Sequence, residues 1–151
     1  MFAGCRSLKS ITVSHFNTSS VTTLESIFNS CYSLKTLDVE NWDTSKVTNM
    51  SNAFTNMRSL SQIDLNKWNF NSVTNFNNMF AYDYTLASYG DFAIPVNIAT
   101  VGGIFRDCWV LRYIKLSGTI STQIKNTAFY TTCSTDIILD LTSLPTLESS
   151  N

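Results

Sequence analysis

IFNSCYSLKTLDVENWDTSKVTNMSN, residues 27–52, is one full unit of a repeat. Phe28 recurs as Phe2, Phe54 and Phe80 at 26-residue spacing, and Phe105 and Phe129 continue the series at 25 and 24. Whole columns align with it. Leu8, Leu34, Leu60, Leu86 and Leu111 form one, and Ile11, Leu37, Ile63, Tyr89 and Ile114 form another. Val21, Val47, Val73 and Ile98 form a third, and Leu24, Met50, Phe76, Val101 and Ile124 a fourth. A fixed period in this range marks a repeat architecture, where each unit buries its apolar face against its neighbours. Such a chain works as an extended surface more readily than as a catalytic pocket.

Within the unit, SLKTLDV places Leu37 and Val39 on one side and Asp38 on the other, the alternation of a short strand. Equivalent strands are expected at 8–13, 60–65 and 111–116, stacked in register as a parallel sheet with one strand per coil. NWDTS is a turn, matched by HFNTS at 15–19 and KWNFN at 67–71, because Asn, Asp, Ser and Thr bond their own backbone locally. Phe16, Trp42 and Trp68 share a column and are expected to stack inside. VTNMSNAF then sets Val47, Met50 and Phe54 at i, i+3 and i+7, which predicts a short helix packed on the strand layer. The fold class expected is an α/β repeat solenoid, a right-handed coil with one short parallel strand and one short helix per repeat.

The pattern MF-x2-C-x-SL-x2-LD-V/L-x2-W-D/N-T-S-x-VT-N-M resembles the BspA-like leucine-rich repeat group, and within it the Mycoplasma-type repeat of unknown function. The likeness is strong over residues 1–80, fair over 104–120, and poor over 81–103 and 128–151. It implies a leucine-rich-repeat-like solenoid, a surface-exposed or secreted protein, and adhesion or other protein contact, with no catalytic residue carried across. Five repeats are expected, at 1–26, 27–52, 53–78, 79–103 and 104–127, followed by a degenerate repeat and C-terminal cap at 128–151. Pro95 and the Gly102–Gly103 pair mark a re-routed connection, read as tolerated drift or as an altered binding loop.

The totals narrow the function. The 151 residues suffice for one domain with a core, and 44% hydrophobic content argues against disorder. With net charge −1 and 14% charged residues, no strongly basic face is expected and nucleic acid is not a partner. No apolar run reaches membrane-span length and no signal peptide is visible. Met1–Phe2 occupies the repeat position of Met79–Phe80, so the chain is expected to be part of a longer exported protein.

Chemistry-bearing residues are few. Cys5, Cys31 and Cys108 share a column with Met57 and Asp83, Cys133 falls one residue later, and the spacing fits no zinc motif. Small buried thiols are expected; a Cys5–Cys31 bridge suits the distance of adjacent coils but not their parallel side-chain directions. His15, the sole histidine, reads as a solvated turn residue, and no nucleophile elbow, phosphate loop or dinucleotide fingerprint is present. Asp38 and Asp64 stack one coil apart but supply too few oxygens for calcium. No cofactor and no metal are expected. Asn17-Thr18-Ser19 and Asn49-Met50-Ser51 are glycosylation sequons.

The reading that results is a non-enzymatic surface or adhesion module, extracellular or at the cell surface, contacting a protein or glycan. The candidate binding residues face outward from the strands: Thr36, Asp38, Glu40, Gln62, Asp64, Asn66, Tyr113 and Lys115. Arg106, Arg112, Lys115 and Lys125 against Asp107 predict a face running from acidic at coils two and three to basic at coil five. The alternative is a structural spacer or assembly subunit of a surface layer or viral particle, docking through its coil ends.

Overall fold

A computed structural model describes residues 1–89, 102–117 and 138–143. Its organising element is a ladder between consecutive coils. The N–H groups of Leu24, Ser26, Phe28 and Ser30 donate to the carbonyls of Asn49, Ser51, Ala53 and Thr55 one coil on. Met50, Asn52, Phe54 and Asn56 repeat this toward Asn75, Asn77, Met79 and Ala81. Asn78, Phe80 and Tyr82 repeat it toward Gly102, Ile104 and Arg106.

The intervening N–H groups turn inward on their own coil. Ile27, Asn29 and Cys31 donate to the carbonyls three residues back, Leu24, Ser26 and Phe28. The segment is therefore a run of tight turns, not the helix expected at Val47–Phe54. Two physical reasons exclude a helix. Every second N–H is committed to the neighbouring coil, whereas a helix spends each one on its own i−4 carbonyl. Every fourth residue is also left-handed: Ser26 (φ 52°) and Ser30 (62°), Asn52 (55°) and Asn56 (63°), Asn78 (54°) and Tyr82 (64°). A right-handed helix admits no such residue, and Asn is among the few side chains that tolerate it. Gly103 (φ 64°) holds the next such place, where a Cβ would come 2.5 Å from Asn78 Oδ1. Among the described residues there is no helix.

The strands are also sparser than expected. β1 (Tyr113–Ser117) and β2 (Ile138–Ser143) pair in parallel, Tyr113 opposite Ile138 and Lys115 opposite Asp140. Their register is offset by 25 residues, the length of a repeat. Elsewhere among the described residues only single parallel bridges occur, Thr23 with Asn49, Asn49 with Asn75, and Gln62 with Ser88. The period-two alternation holds even without a regular strand. Leu37, Val39, Ile63 and Leu65 are buried, while Thr36, Asp38, Gln62 and Asp64 are exposed.

Planar rings fill the core. Phe2, Phe28, Phe54, Phe80 and Phe105 stack with centroids 5.2, 6.2, 5.4 and 5.7 Å apart, all within 14° of parallel. Phe16, Trp42 and Trp68 form a second stack at 6.3 and 6.2 Å. Each buried indole finds an acceptor, Trp42 Nε1 donating to Val13 O at 2.9 Å and Trp68 Nε1 to Val39 O at 2.8 Å. Coil stacking thus meets the polar demand of a buried tryptophan. The turns after these rings close as expected, with Ser45 N on Asp43 Oδ1, Asn71 N on Asn69 Oδ1 and Ser19 N on Asn17 Oδ1. The re-routed connection around Pro95 and most of the 128–151 cap lie outside the described residues.

Candidate functional site

The strand side of coils one to four, from Ile11 to Ser88, forms a groove of about 440 Å³. Thr36, Asp38 and Glu40 line it from one coil and Gln62 and Asp64 from the next, over a floor that includes Leu37, Val39 and Ile63. The alternation explains the arrangement: apolar residues turn in to the ring stacks, and the polar ones between them are left on one wall. Five of the eight expected binding residues are therefore brought together. Asn66 is exposed beside them, its N–H closing on Asp64 Oδ1 at 2.9 Å. Tyr113 and Lys115 lie on β1, farther along the stack.

The groove is acidic, with one counterion. Lys67 Nζ sits 2.8 Å from Glu40 Oε1 and 3.1 Å from Asn41 Oδ1. Its hydrogen bond and charge attraction to Glu40, helped by Asp64 and Asp38, raise the lysine above its ordinary range. Both partners are solvated, so the pair orients side chains more than it stabilises the fold. Among the described residues no group of three or more His, Cys, Asp and Glu side chains is placed to hold a metal ion. His15 is exposed and meets the edge of the Phe16 ring at 5.3 Å.

The cysteine column divides. Cys31 and Cys108 are buried free thiols, but Cys5 is a free thiol exposed on the first coil, against the expectation that it is buried. Cys31 Sγ donates to Phe2 O at 3.2 Å and Cys108 Sγ to Phe80 O at 3.0 Å, each tying its coil to the one before. Burial, and then the neighbouring Cys5, raise the Cys31 thiol above its usual range. Cys133 lies outside the described residues.

Asp83 occupies the same column and is fully buried. Its Oδ1 accepts the Met57 N–H at 2.6 Å, and its Oδ2 has no hydrogen-bond partner. Desolvation raises its pKa well above the ordinary carboxylate value, outweighing the Met57 bond.

A second surface stands on the turn that leads into each strand segment. The Arg6 guanidinium lies 5.3 Å from the Tyr32 ring centre, and the Arg58 guanidinium 4.5 Å from it. Arg58 is also 5.7 Å from the Tyr84 ring, which stacks on Trp109 at 4.4 Å. These five residues, 6, 32, 58, 84 and 109, form one repeat column that alternates cation and ring as far as Tyr84 and ends in a second ring, Trp109. It escaped the column reading above because that reading sought like residues. A search for alternating Arg and aromatic residues at the repeat period finds it.

A further cavity, about 550 Å³, opens on the first coil, bounded by Met1, Phe16, Val21, Ile27 and Trp42. Among the described residues no helix is long and apolar enough to cross a membrane.

Comparison with known families gives two matches. The family described as Mycoplasma protein of unknown function, DUF285, matches residues 1–107. The family described as BspA type leucine rich repeat region (6 copies) matches residues 75–150. Together they establish a leucine-rich type of repeat. No curated protein and no solved structure matches the chain.

Proposed function

Because this chain belongs to the DUF285 family of Mycoplasma proteins and carries a BspA-type leucine-rich repeat region, we propose that it is a non-enzymatic binding module of a cell-surface or secreted protein. Its repeats, 1–26, 27–52, 53–78, 79–103 and 104–127 with a terminal 128–151 segment, form a solenoid that serves adhesion. The contact surface is the outward strand face, and its partner is a protein or a glycan. One observation carries the reading. The groove gathers Thr36, Asp38, Glu40, Gln62 and Asp64 on a single wall, above a core fully used by stacking. A rigid scaffold presenting varied polar side chains loses little freedom on binding.

The test begins with a glycan and protein array probed with the purified chain. The double reversal Asp38→Lys with Asp64→Lys is then measured against each hit at low and high salt. Loss of binding with a changed salt response supports the acidic groove as the contact. An affinity and salt response equal to those of the native chain reject it.

A second reading, assembly through coil ends, draws on the cavity of the first coil. Its apolar lining of Phe16, Val21, Ile27 and Trp42 suits docking of a neighbouring chain. Concentration-dependent association in sedimentation, lost in Phe16→Ser with Val21→Ser, is the outcome that favours it.

A further inference from the structure

The column of Arg6, Tyr32, Arg58, Tyr84 and Trp109 does more than stack. Its ring faces are already used. Tyr32 has a guanidinium near it from each neighbouring coil, and Tyr84 has Arg58 and Trp109. What remains on the outside is the guanidinium forks and the edges of the rings. Arg6 and Arg58 are exposed, Tyr32 and Tyr84 half-exposed, and Trp109 is 54% exposed.

The backbone beneath is held by a rail of hydroxyls. Ser33 Oγ donates to Arg6 O at 2.8 Å, Ser59 Oγ to Tyr32 O at 2.7 Å, and Thr85 Oγ1 to Arg58 O at 3.1 Å. Ser33 and Ser59 thus clamp the column residue of the coil before, and Thr85 Oγ1 lies between Arg58 O and Leu60 O, the latter at 2.9 Å. The backbone that carries the arginines is fixed before any ligand arrives, and the Arg6 and Arg58 guanidinium groups rest near the tyrosine rings, which lowers the ordering cost of binding.

Charge is segregated around the coil. Three residues past the ladder lies the column of Lys9, Lys35, Ser61, Ala87 and Arg112, all exposed. Segments 5–10, 31–36, 57–62, 83–88 and 108–112 therefore carry Arg6, Lys9, Lys35, Arg58 and Arg112, and their single acid is the buried Asp83. The acids Asp38, Glu40 and Asp64 fall on the strand face instead. Composition alone predicted no strongly basic face; the coil geometry assembles a basic strip from sparse cations. An apolar end joins this strip at coil five, where Trp109 and Val110 (41% exposed) stand beside Arg112.

We infer that this ladder strip is a docking surface for an acidic, extended polypeptide segment that carries apolar side chains among its carboxylates. Guanidinium forks match carboxylates in geometry as well as in charge. Exposed Trp109 and Val110 give the strip an apolar end that matches the apolar side chains of such a peptide. Sparse cations beside an acidic groove also disfavour a dense polyanion such as a sulfated glycan, whose surplus charge meets Asp38 and Asp64. The strip borders the strand-face groove, which Thr36, Gln62 and Ser88 of these segments also line, but its cations are not groove residues, so each proposal stands or falls by its own charge variants.

The probe is a fluorescein-labelled synthetic peptide rich in glutamate and carrying leucines, titrated with the whole chain and read by fluorescence anisotropy. A peptide with glutamine at every glutamate is the control, and heparin is the competing polyanion. The native chain should bind the glutamate peptide, more weakly as salt rises, and should bind the glutamine peptide at least about tenfold less well. Arg6→Gln with Arg58→Gln should weaken binding by about tenfold or more. Lys9→Glu with Lys35→Glu, outside the ring stack, should weaken it comparably and keeps the test valid if the arginine variant melts early. Asp38→Lys with Asp64→Lys should not weaken it. Absence of peptide binding, equal binding of the two peptides, binding of heparin alone, or indifference to both cation variants each overturns the proposal.

Discussion

Two columns of planar groups run along this molecule, and they are built on opposite rules. The interior column repeats one residue: Phe2, Phe28, Phe54, Phe80 and Phe105, almost parallel and, beyond the half-buried first ring, sealed from solvent. The outer column alternates Arg6, Tyr32, Arg58, Tyr84 and Trp109 along one side of the same coils. A buried position accepts only an apolar ring of matching size, because a charge there has no water and no counterion. An exposed position can answer a ring with a guanidinium, since water solvates the charge and the ring face attracts it. Sameness therefore marks columns that hold the coils together, and alternation marks a column that also faces solvent.

The contrast can be broken at its strongest point first. Trp42→Ala removes a ring only 2% exposed, its stacking on Phe16 and Trp68, and its bond to Val13. It should cost about 3–5 kcal/mol in a urea titration. A loss under about 1 kcal/mol would mean that the interior stack carries little of the stability.

Asp83 sharpens the same contrast, being a charge-bearing residue in an interior column. Its folded pKa lies above its unfolded value, so the unfolded chain releases the proton first as pH rises. Below the ordinary carboxylate range both states hold the proton and no penalty exists. Above it, stability falls progressively as pH climbs toward the folded pKa. Asp83→Asn abolishes that dependence while keeping an oxygen for the Met57 N–H. It should therefore be more stable than the native chain at neutral pH by about 1–3 kcal/mol. The gap should close below about pH 3, where the unfolded aspartate is largely protonated. Urea titrations across that range decide it, and a gap constant with pH would contradict the buried-acid account.

The outer column should matter least for stability. A double-mutant cycle on Arg58→Gln and Tyr32→Leu should return a coupling of about 0.5–1 kcal/mol, typical of an exposed cation–ring pair. A coupling as large as the interior loss would make the ladder a structural element first.

The period, the ring columns and the inward–outward alternation of Leu37-Asp38-Val39 were legible because each column repeats a residue type at constant spacing. The helix expectation failed for a specific reason. Val47, Met50 and Phe54 bury one face in a run of turns much as they would in a helix, so apolar spacing cannot separate the two. The sign lay instead in Asn52 and Asn56, four residues apart, where left-handed backbone interrupts any helix. The groove was legible in five residues from alternation alone. The Arg–Tyr ladder was missed because its chemistry changes from coil to coil.

By itself the amino-acid order determined a repeat of 26 residues, the residues that enter the core, and the polar side chains left outside. Those follow from local pattern and the demand that apolar surface be buried. Tertiary structure decided the rest: which N–H groups cross to the next coil, that Asp83 is enclosed with no partner for its Oδ2, and that Arg6 and Arg58 both meet the ring of Tyr32. These depend on what the neighbouring coil places within a few ångströms, at residues some 26 positions away, and no local window of sequence contains that neighbour.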